Sequence, residues 1–392
     1  MSKIKLASTL KIRMFRLALV AFYIISTAIS PLAAGRLPEN DYLVLVVCES
    51  ADKIALVRFG PAGARVEREI LTGSMPSDID APHGVVASPD RQSYYVSLGH
   101  GRPFGWVWKY SMKDDSVLGR TTLGMFPASM DITPDGNFLF VVNFNLHGDM
   151  VPSSVSVVAT DIMMEVARIP TCTMPHGSRL NPQGTRQYSA CMMDDMLVEV
   201  DASRFSVSRH FVLTKGKEMG VDGAPKFDAP NAHAGHSMKM HHPDCSPTWA
   251  QPSSDGSSIF VACNKSDEIV EVDAREWKVV RRLQARPGVY NLAVTKDDRL
   301  IATNKRDQSV SIFDLKSGKE LARIPTKRRV VHGAVVSPDN RYAFISVEGI
   351  GSEPGTVEVI DLQTLKTVAT VDVPEQAAGI DFLRMETPQS KR

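Results

Sequence analysis

The 392-residue sequence has no G-x-S-x-G elbow, no phosphate-binding G-x-x-x-x-G-K-[S/T] loop and no C-x-x-C-H haem attachment site. Serine-hydrolase, nucleotide-hydrolase and c-type cytochrome chemistry are therefore without their local signatures. The stretch "GHGRPFG" from Gly99 is glycine-rich but departs from G-x-G-x-x-G, so it carries no phosphate role. Net charge is nearly absent: 45 Lys and Arg stand against 44 Asp and Glu, for a balance of +1. No long-range field would draw such a chain to nucleic acid or to an anionic surface. Aromatic residues make up 7 % and are scattered, which excludes a base-stacking platform. Beyond the N-terminus no apolar run approaches the roughly 20 residues needed to cross a bilayer.

The N-terminus is different in kind. Lys3, Lys5, Lys11, Arg13 and Arg16 precede "LALVAFYIISTAISPLAA", which ends in small residues near Ala34. A basic segment, an apolar segment and a small-residue exit read as a signal peptide over residues 1–35. Ser26, Thr27, Ser30 and Pro31 break the run and argue against a membrane anchor. The expectation is an exported chain, periplasmic or secreted, free of the membrane after cleavage.

What the sequence does have is repetition. "HGVVASPDRQSYYVSLG" from His83 aligns with "ASMDITPDGNFLFVVNFN" from Ala128 and "HGSRLNPQGTRQYSACMMDD" from His176. "TWAQPSSDGSSIFVACNKSD" from Thr248, "YNLAVTKDDRLIATNKRDQ" from Tyr290 and "HGAVVSPDNRYAFISVEG" from His332 continue the series. Most units are 42 to 48 residues apart, with one interval of 72 before Thr248. Each complete unit reads as four short strands, and that content at a period of about 40 to 50 marks a propeller blade. A last fragment, "AAGIDFLRM" from Ala377, supplies only a first strand. "DYLVLVVCES", "KIALVRF" and "RVEREIL" near the start supply a second, third and fourth. Pairing the two ends completes a seventh blade and hides two sheet edges. The chain is thus expected to be all-β, a seven-bladed β-propeller over residues 36–386, with an insertion loop near 215–246 and a tail at 387–392.

"FVVNFN", "FVACNKSD" and "IATNKRDQ", each after a Ser/Thr-Pro-Asp-Gly type of turn, resemble the YVTN family of propeller repeats over nearly all of the mature chain. That resemblance implies the fold; such propellers include surface proteins, lactonase relatives and the propellers of periplasmic redox enzymes.

In a four-stranded meander the loop leading to the first strand and the loop between strands two and three lie on one face. His83, His176 and His332 begin innermost strands, and His100 and His147 fall in second-to-third-strand loops of the same face. The long repeat adds "NAHAGHSMKMHHPDC", with His233, His236, His241 and His242 beside Met238 and Met240. Nine of the ten histidines gather there; His210, in a strand, does not. Taken singly, a histidine at a strand start serves equally well as a donor to a neighbouring carbonyl. Together they point to a transition-metal site, because imidazole is the commonest side-chain metal ligand and imidazole with thioether favours copper, with zinc the alternative. His83, His176 and His332 would form the inner ring, with His100 and His147 beside them and the His-Met segment as a lid or delivery strand.

The plan is similar to nitrous oxide reductases, whose propeller offers histidines to a copper cluster, and to haem-d nitrite reductases, which use the propeller mouth for a cofactor. "DGNFLFVVNFNLHGD" is further similar to a segment of the selenium-binding protein and methanethiol oxidase family, which is copper-linked. That likeness implies His147 and Asp149 as site residues. The vicinal cysteine pair of that family and a second, cupredoxin domain are both missing here.

Cys172 and Cys191, and Cys245 and Cys263, occupy matching places in consecutive units, 19 and 18 residues apart. In an exported chain they read as two disulfides, with metal ligation the alternative. Cys48 would remain, as a buried thiol or a soft ligand. Among nearby carboxylates, Asp149 and Glu348 are candidates to orient imidazoles, with Glu49, Asp194 and Asp195 alongside as bases or as solvating loop residues. The leading expectation is copper-dependent redox chemistry or copper handling, with a periplasmic redox or copper-carrier protein as partner. A metal-free interaction scaffold and a lactonase-like hydrolase with a carboxylate-held divalent cation are the alternatives.

Overall fold

Local chemistry sets the strand breaks. In the turn Thr133-Pro134-Asp135-Gly136 the threonine hydroxyl donates to the Asp135 carboxylate at 2.5 Å, and Asn137 N–H donates to the same oxygen at 3.1 Å. Gly136 takes φ +77°, a left-handed conformation that a side chain resists. The same hydroxyl-to-carboxylate bond recurs at Ser88–Asp90, Ser253–Asp255 and Ser337–Asp339. Such bonds favour the charged acid, and Ser253 foremost holds the Asp255 carboxyl down to about 2. Between these turns run β-branched and aromatic segments such as Phe138–Asn143, buried along nearly its whole length.

The computed structural model describes residues 37–75, 78–100, 104–227 and 243–387. These fold into seven antiparallel sheets, six of four strands and one of five. The first blade joins both ends of the propeller: Ala377–Glu386 is innermost, followed by Asp41–Cys48, Lys53–Gly60 and Gly63–Leu71. Its joint runs from Asp41 opposite Glu386 to Cys48 opposite Ala377. The seam against the seventh blade is aromatic: Tyr42 and Phe59 each meet Tyr342 edge-on with ring centroids 5.0 Å apart. Burying each such ring stabilises the closed ring by roughly 1.5–3 kcal/mol. Six further blades start with inner strands at Pro82, Pro127, Pro175, Pro247, Val289 and Val330. Proline is tolerated there because an innermost strand is a sheet edge whose outward N–H has no ladder partner. Among the described residues no helix is long and apolar enough to cross a membrane.

The blades are also tied to one another near the channel. Ser97 Oγ donates to the Ala128 carbonyl of the next blade at 2.8 Å, Thr248 Oγ1 to Tyr290 at 2.8 Å and Thr303 Oγ1 to His332 at 3.0 Å. Ser346 Oγ donates to Ala378 at 2.5 Å, and Ser129 Oγ bonds the His176 carbonyl. This close approach explains the glycine of the His-Gly repeat. A Cβ at Gly177 would collide with the Thr248 carbonyl and Trp249, and one at Gly84 with the Ala128 carbonyl.

Disulfides join Cys172 to Cys191, with Cα atoms 5.8 Å apart, and Cys245 to Cys263, at 4.5 Å. The first staples the outer strand of the third blade to the fourth; the second sits within the fifth. Cys48 is a free buried thiol. Burial foremost pushes its pKa far above the ordinary range, so the free thiol stays protonated.

The insertion expected as loop at 215–246 is in part sheet: Met219–Asp222 pairs with Ser206–Val212 as a fifth strand of the fourth blade. Four residues carry too little alternation to be read as a strand; Gly220 fits because it lies against the Trp277 ring. The signal peptide at 1–35 and most of the tail lie outside the described residues, as do His233, His236, His241, His242, Met238 and Met240.

Gly177→Ala should cost about 3 kcal/mol of stability, near the top of the overpacking range. Denaturant unfolding checks this; a loss under about 1 kcal/mol would show that the inner strands separate freely.

Candidate functional site at the channel mouth

The inner strands of the first six blades are each preceded by a residue that reverses the chain. Ala81, Phe126, Met174 and Ser246 all have φ between 48 and 53°, and each stands immediately before a proline. Left-handed backbone at non-glycine positions costs of order 1 kcal/mol or more apiece and clusters at functional sites. Two residues past this point the second and fourth blades present His83 and His176, and the sixth, after Gly288 at φ +75°, presents Tyr290; the seventh presents His332 at the aligned place without a left-handed residue before it.

These four rings are gathered together. His83 lies 6.1 Å from His176 and 5.7 Å from His332, measured between ring centroids. Tyr290 lies 5.3 Å from His176 and 5.1 Å from His332. Phe144 packs against His176 at 4.7 Å and Phe126 against His83 at 5.3 Å. His100 and His147 form a separate pair 5.7 Å apart, and Phe126 stands between that pair and the inner three, 6.0 Å from His100 and 5.5 Å from His147. The five described rim histidines are thus a trio and a pair divided by a phenylalanine. His210 hydrogen-bonds the Gly223 carbonyl, away from this site.

The hydrogen bonds fix which nitrogen is which. His176 Nδ1 is 2.8 Å from the Thr248 carbonyl, which only accepts, so Nδ1 carries the proton. Its Nε2 is then a lone pair, and it accepts from the Tyr290 hydroxyl at 3.0 Å. His83 Nδ1 meets Glu49 Oε2 at 2.9 Å, a carboxylate-imidazole pair that orients the ring and leaves Nε2 outside it. His332 faces the Ala378 carbonyl in the same manner, but too loosely for Nδ1 to form a full hydrogen bond.

Charge at the mouth is balanced among few groups. Lys305 Nζ stands 3.6 Å from Glu348 Oε1 and 3.6 Å above the Tyr290 ring. Glu348 is 3.8 Å from His332 Nε2. Burial foremost, with His83 adding, pushes the His176 pKa down to about 3, and burial with Lys305 pushes His332 well below its usual range. Burial raises Glu49, but His83, His100 and Lys305 outweigh it and hold that carboxyl low. Burial likewise lowers Lys305, against the pull of Glu348, and raises Glu348. The result is at least two unprotonated imidazoles beside one carboxylate-lysine pair. At this level the channel holds a small cavity of about 30 Å³, lined by the three histidines with Ser129, Arg179, Trp249 and Asn291.

Other expected residues have different places. Asp149 is exposed, and its backbone carbonyl, at 2.9 Å, is what accepts from the Asn145 side chain. Asp195 is buried and caps the amides of Asp244, Cys245 and Ser246, anchoring the point where the insertion rejoins the fifth blade. Asp194 accepts from the Thr173 amide. Tyr290 and Lys305 were not foreseen; the repeat alignment carried a signal for Tyr290, which stands where three other units have histidine. Among the described residues no group of three or more His, Cys, Asp and Glu side chains is already placed to hold a metal ion.

Neither a protein-family model nor a curated protein sequence matches the chain. Solved structures share its fold. Hydrazine synthase of Kuenenia stuttgartiensis aligns with TM-score 0.56 and 20 % identity over 75 % of this chain and 80 % of that one. A functionally unknown protein of Desulfotomaculum acetoxidans aligns at 0.62 and 14 %, over 87 % and 98 %. The periplasmic gluconolactonase of Pseudomonas aeruginosa aligns at 0.66 and 17 %, over 89 % and 100 %. At these identities the likeness is one of fold.

Because folding holds His176 neutral, the unfolded chain binds an extra proton between its ordinary 6.5 and about 3. Stability therefore falls as pH drops through that window, by up to about 1.4 kcal/mol per pH unit from this one group. His176→Gln should flatten the decline relative to the parent in unfolding measured at stepped pH; parallel curves would contradict the assignment.

Proposed function

We propose that this chain is an exported propeller that binds a transition-metal ion, copper ahead of zinc, at its channel mouth through His83, His176 and His332, for redox chemistry or copper handling. The observation that carries the reading is the protonation state of the buried imidazoles. His176 has its proton fixed on Nδ1 by a carbonyl, and its pKa near 3 keeps Nε2 unprotonated at any physiological pH. His83 has Nδ1 engaged by a carboxylate, as metal-bound histidines commonly do. Imidazole nitrogen of this kind is a donor that copper and zinc prefer. His176 and His332 need not be deprotonated before a cation binds, and the Tyr290 hydroxyl must turn away from His176. Glu348 and Lys305 would then set the charge around the site. The two disulfides suit an oxidising compartment, as does the N-terminal sequence pattern.

A second reading rests on the Glu49–His83 pair, which has the form of an oriented general base. The gluconolactonase with the same fold lends that reading weak support: a hydrolase acting on a small cyclic ester, with a divalent cation held by carboxylates.

Elemental analysis of protein purified from its own compartment should find copper, and His176→Ala combined with His332→Ala should lose it. Unchanged stoichiometry would reject the inner-ring assignment. Lactone hydrolysis that depends on calcium or magnesium, without copper, would favour the second reading.

A further inference from the structure

The cavity at the level of the three histidines is lined by a cation that no carboxylate contacts. Arg179 stands three residues past His176 on the inner strand Pro175–Leu180. Its Nη1 donates to the Ser178 carbonyl at 3.0 Å and to the Met130 carbonyl at 3.3 Å. The guanidinium lies 4.6 Å from the centre of the Trp249 ring, which holds the fork in place. Among the described residues Arg179 makes no ion pair, and its Nε and Nη2 have no protein acceptor. Asp131 and Asp381 are near enough to feel its charge, but both are turned to backbone. Asp131 Oδ2 accepts from the Leu180 amide at 2.8 Å, and Asp381 Oδ2 from the Ala87 amide at 2.8 Å. Burial foremost raises both carboxyls and so opposes their ionisation.

A second polar group lines the same cavity unsatisfied. Asn291 is 3 % exposed, and its Oδ1 has no hydrogen-bond partner. Leaving such a group unpaired is costly, so a polar occupant is favoured there. A half-turn of the amide offers a ligand an N–H in place of the oxygen. A free guanidinium edge matches two oxygens held in one plane, as a carboxylate holds them. The space is small. A cavity of about 30 Å³ has room for roughly two water molecules, and hence for a ligand of about three heavy atoms.

We propose that this cavity is a subsite for a small planar monoanion with two oxygens on one edge, gripped by Arg179 and Asn291 and facing the three imidazoles on its other side. As the substrate class of the channel mouth this rests on the metal reading above, whereas anion binding by itself does not.

The test titrates metal-free protein with formate and follows the relaxation of the formate proton by NMR. Binding should saturate, with a Kd no tighter than about millimolar, the ceiling for so few heavy atoms. Formamide, of the same shape without the charge, should bind at least about tenfold more weakly, and acetate, larger by a methyl group, likewise. Arg179→Gln should weaken formate by about tenfold or more, and Arg179→Lys, which keeps the charge without the fork, should fall between. Arg91→Gln, at an exposed arginine outside the cavity, should change nothing. Melting of each variant shows whether it is folded, and the lysine variant keeps the test open if the glutamine variant is not. Formate binding no better than formamide, or undiminished in Arg179→Gln, would overturn the proposal and leave the cavity to water. The outcome is separable from that for copper. Formate binding in a protein that takes up no copper would sink the metal reading and leave an anion site, while copper uptake without formate binding would sink this subsite alone.

Discussion

The distance between neighbouring inner strands is the constraint on which the rest of the molecule depends. Five hydroxyls, of Ser97, Ser129, Thr248, Thr303 and Ser346, each bond a carbonyl of the following blade. His176 Nδ1 does the same service toward Thr248, and Asp381 closes the remaining step by accepting from the Ala87 amide at 2.8 Å. The circuit of blades is thereby held at a spacing that leaves no room for a Cβ beside the neighbouring carbonyl at Gly84, Gly177 and Gly379. His176 belongs to both systems: one ring nitrogen ties blades together and the other faces the site. Altering the spacing of the blades therefore alters the site, and the reverse holds as well.

Desolvation governs the chemistry inside that ring. Several titratable groups crowd a space of a few ångströms, and a low dielectric penalises every charge not matched there. The cheapest arrangement keeps the buried imidazoles neutral and confines charge to the Glu348–Lys305 contact and the carboxylate of Glu49. Neutral imidazoles with one nitrogen already satisfied are poor acids and good ligands. A cation entering such a site would meet donors that are ready rather than donors that must first lose protons.

Much of the architecture was legible because turns and strands are local. The Ser/Thr-Pro-Asp turns announce themselves by composition, and the truncated units at the two ends implied the pairing of Asp41–Cys48 with Ala377–Glu386. The His-Gly repeat located the inner rim correctly as a place, and the paired spacing of cysteines anticipated both disulfides. What sequence could not supply was depth. His100 and His147 share a face with the inner three, yet Phe126 divides them, a separation set by packing across blades. Asp195 resembles any loop acid until three amides are seen to converge on it. Tyr290 and Lys305 became visible only once the sixth blade placed a phenol against His176 and an ammonium above the phenol.

Anomalous diffraction at the copper edge, from crystals of the metal-loaded protein, addresses the central claim most directly. The account predicts a single strong peak about 2 Å from the Nε2 atoms of His83, His176 and His332, the usual length of a metal–imidazole bond. A peak confined to the His-Met segment, or none at the mouth under saturating copper, would contradict it.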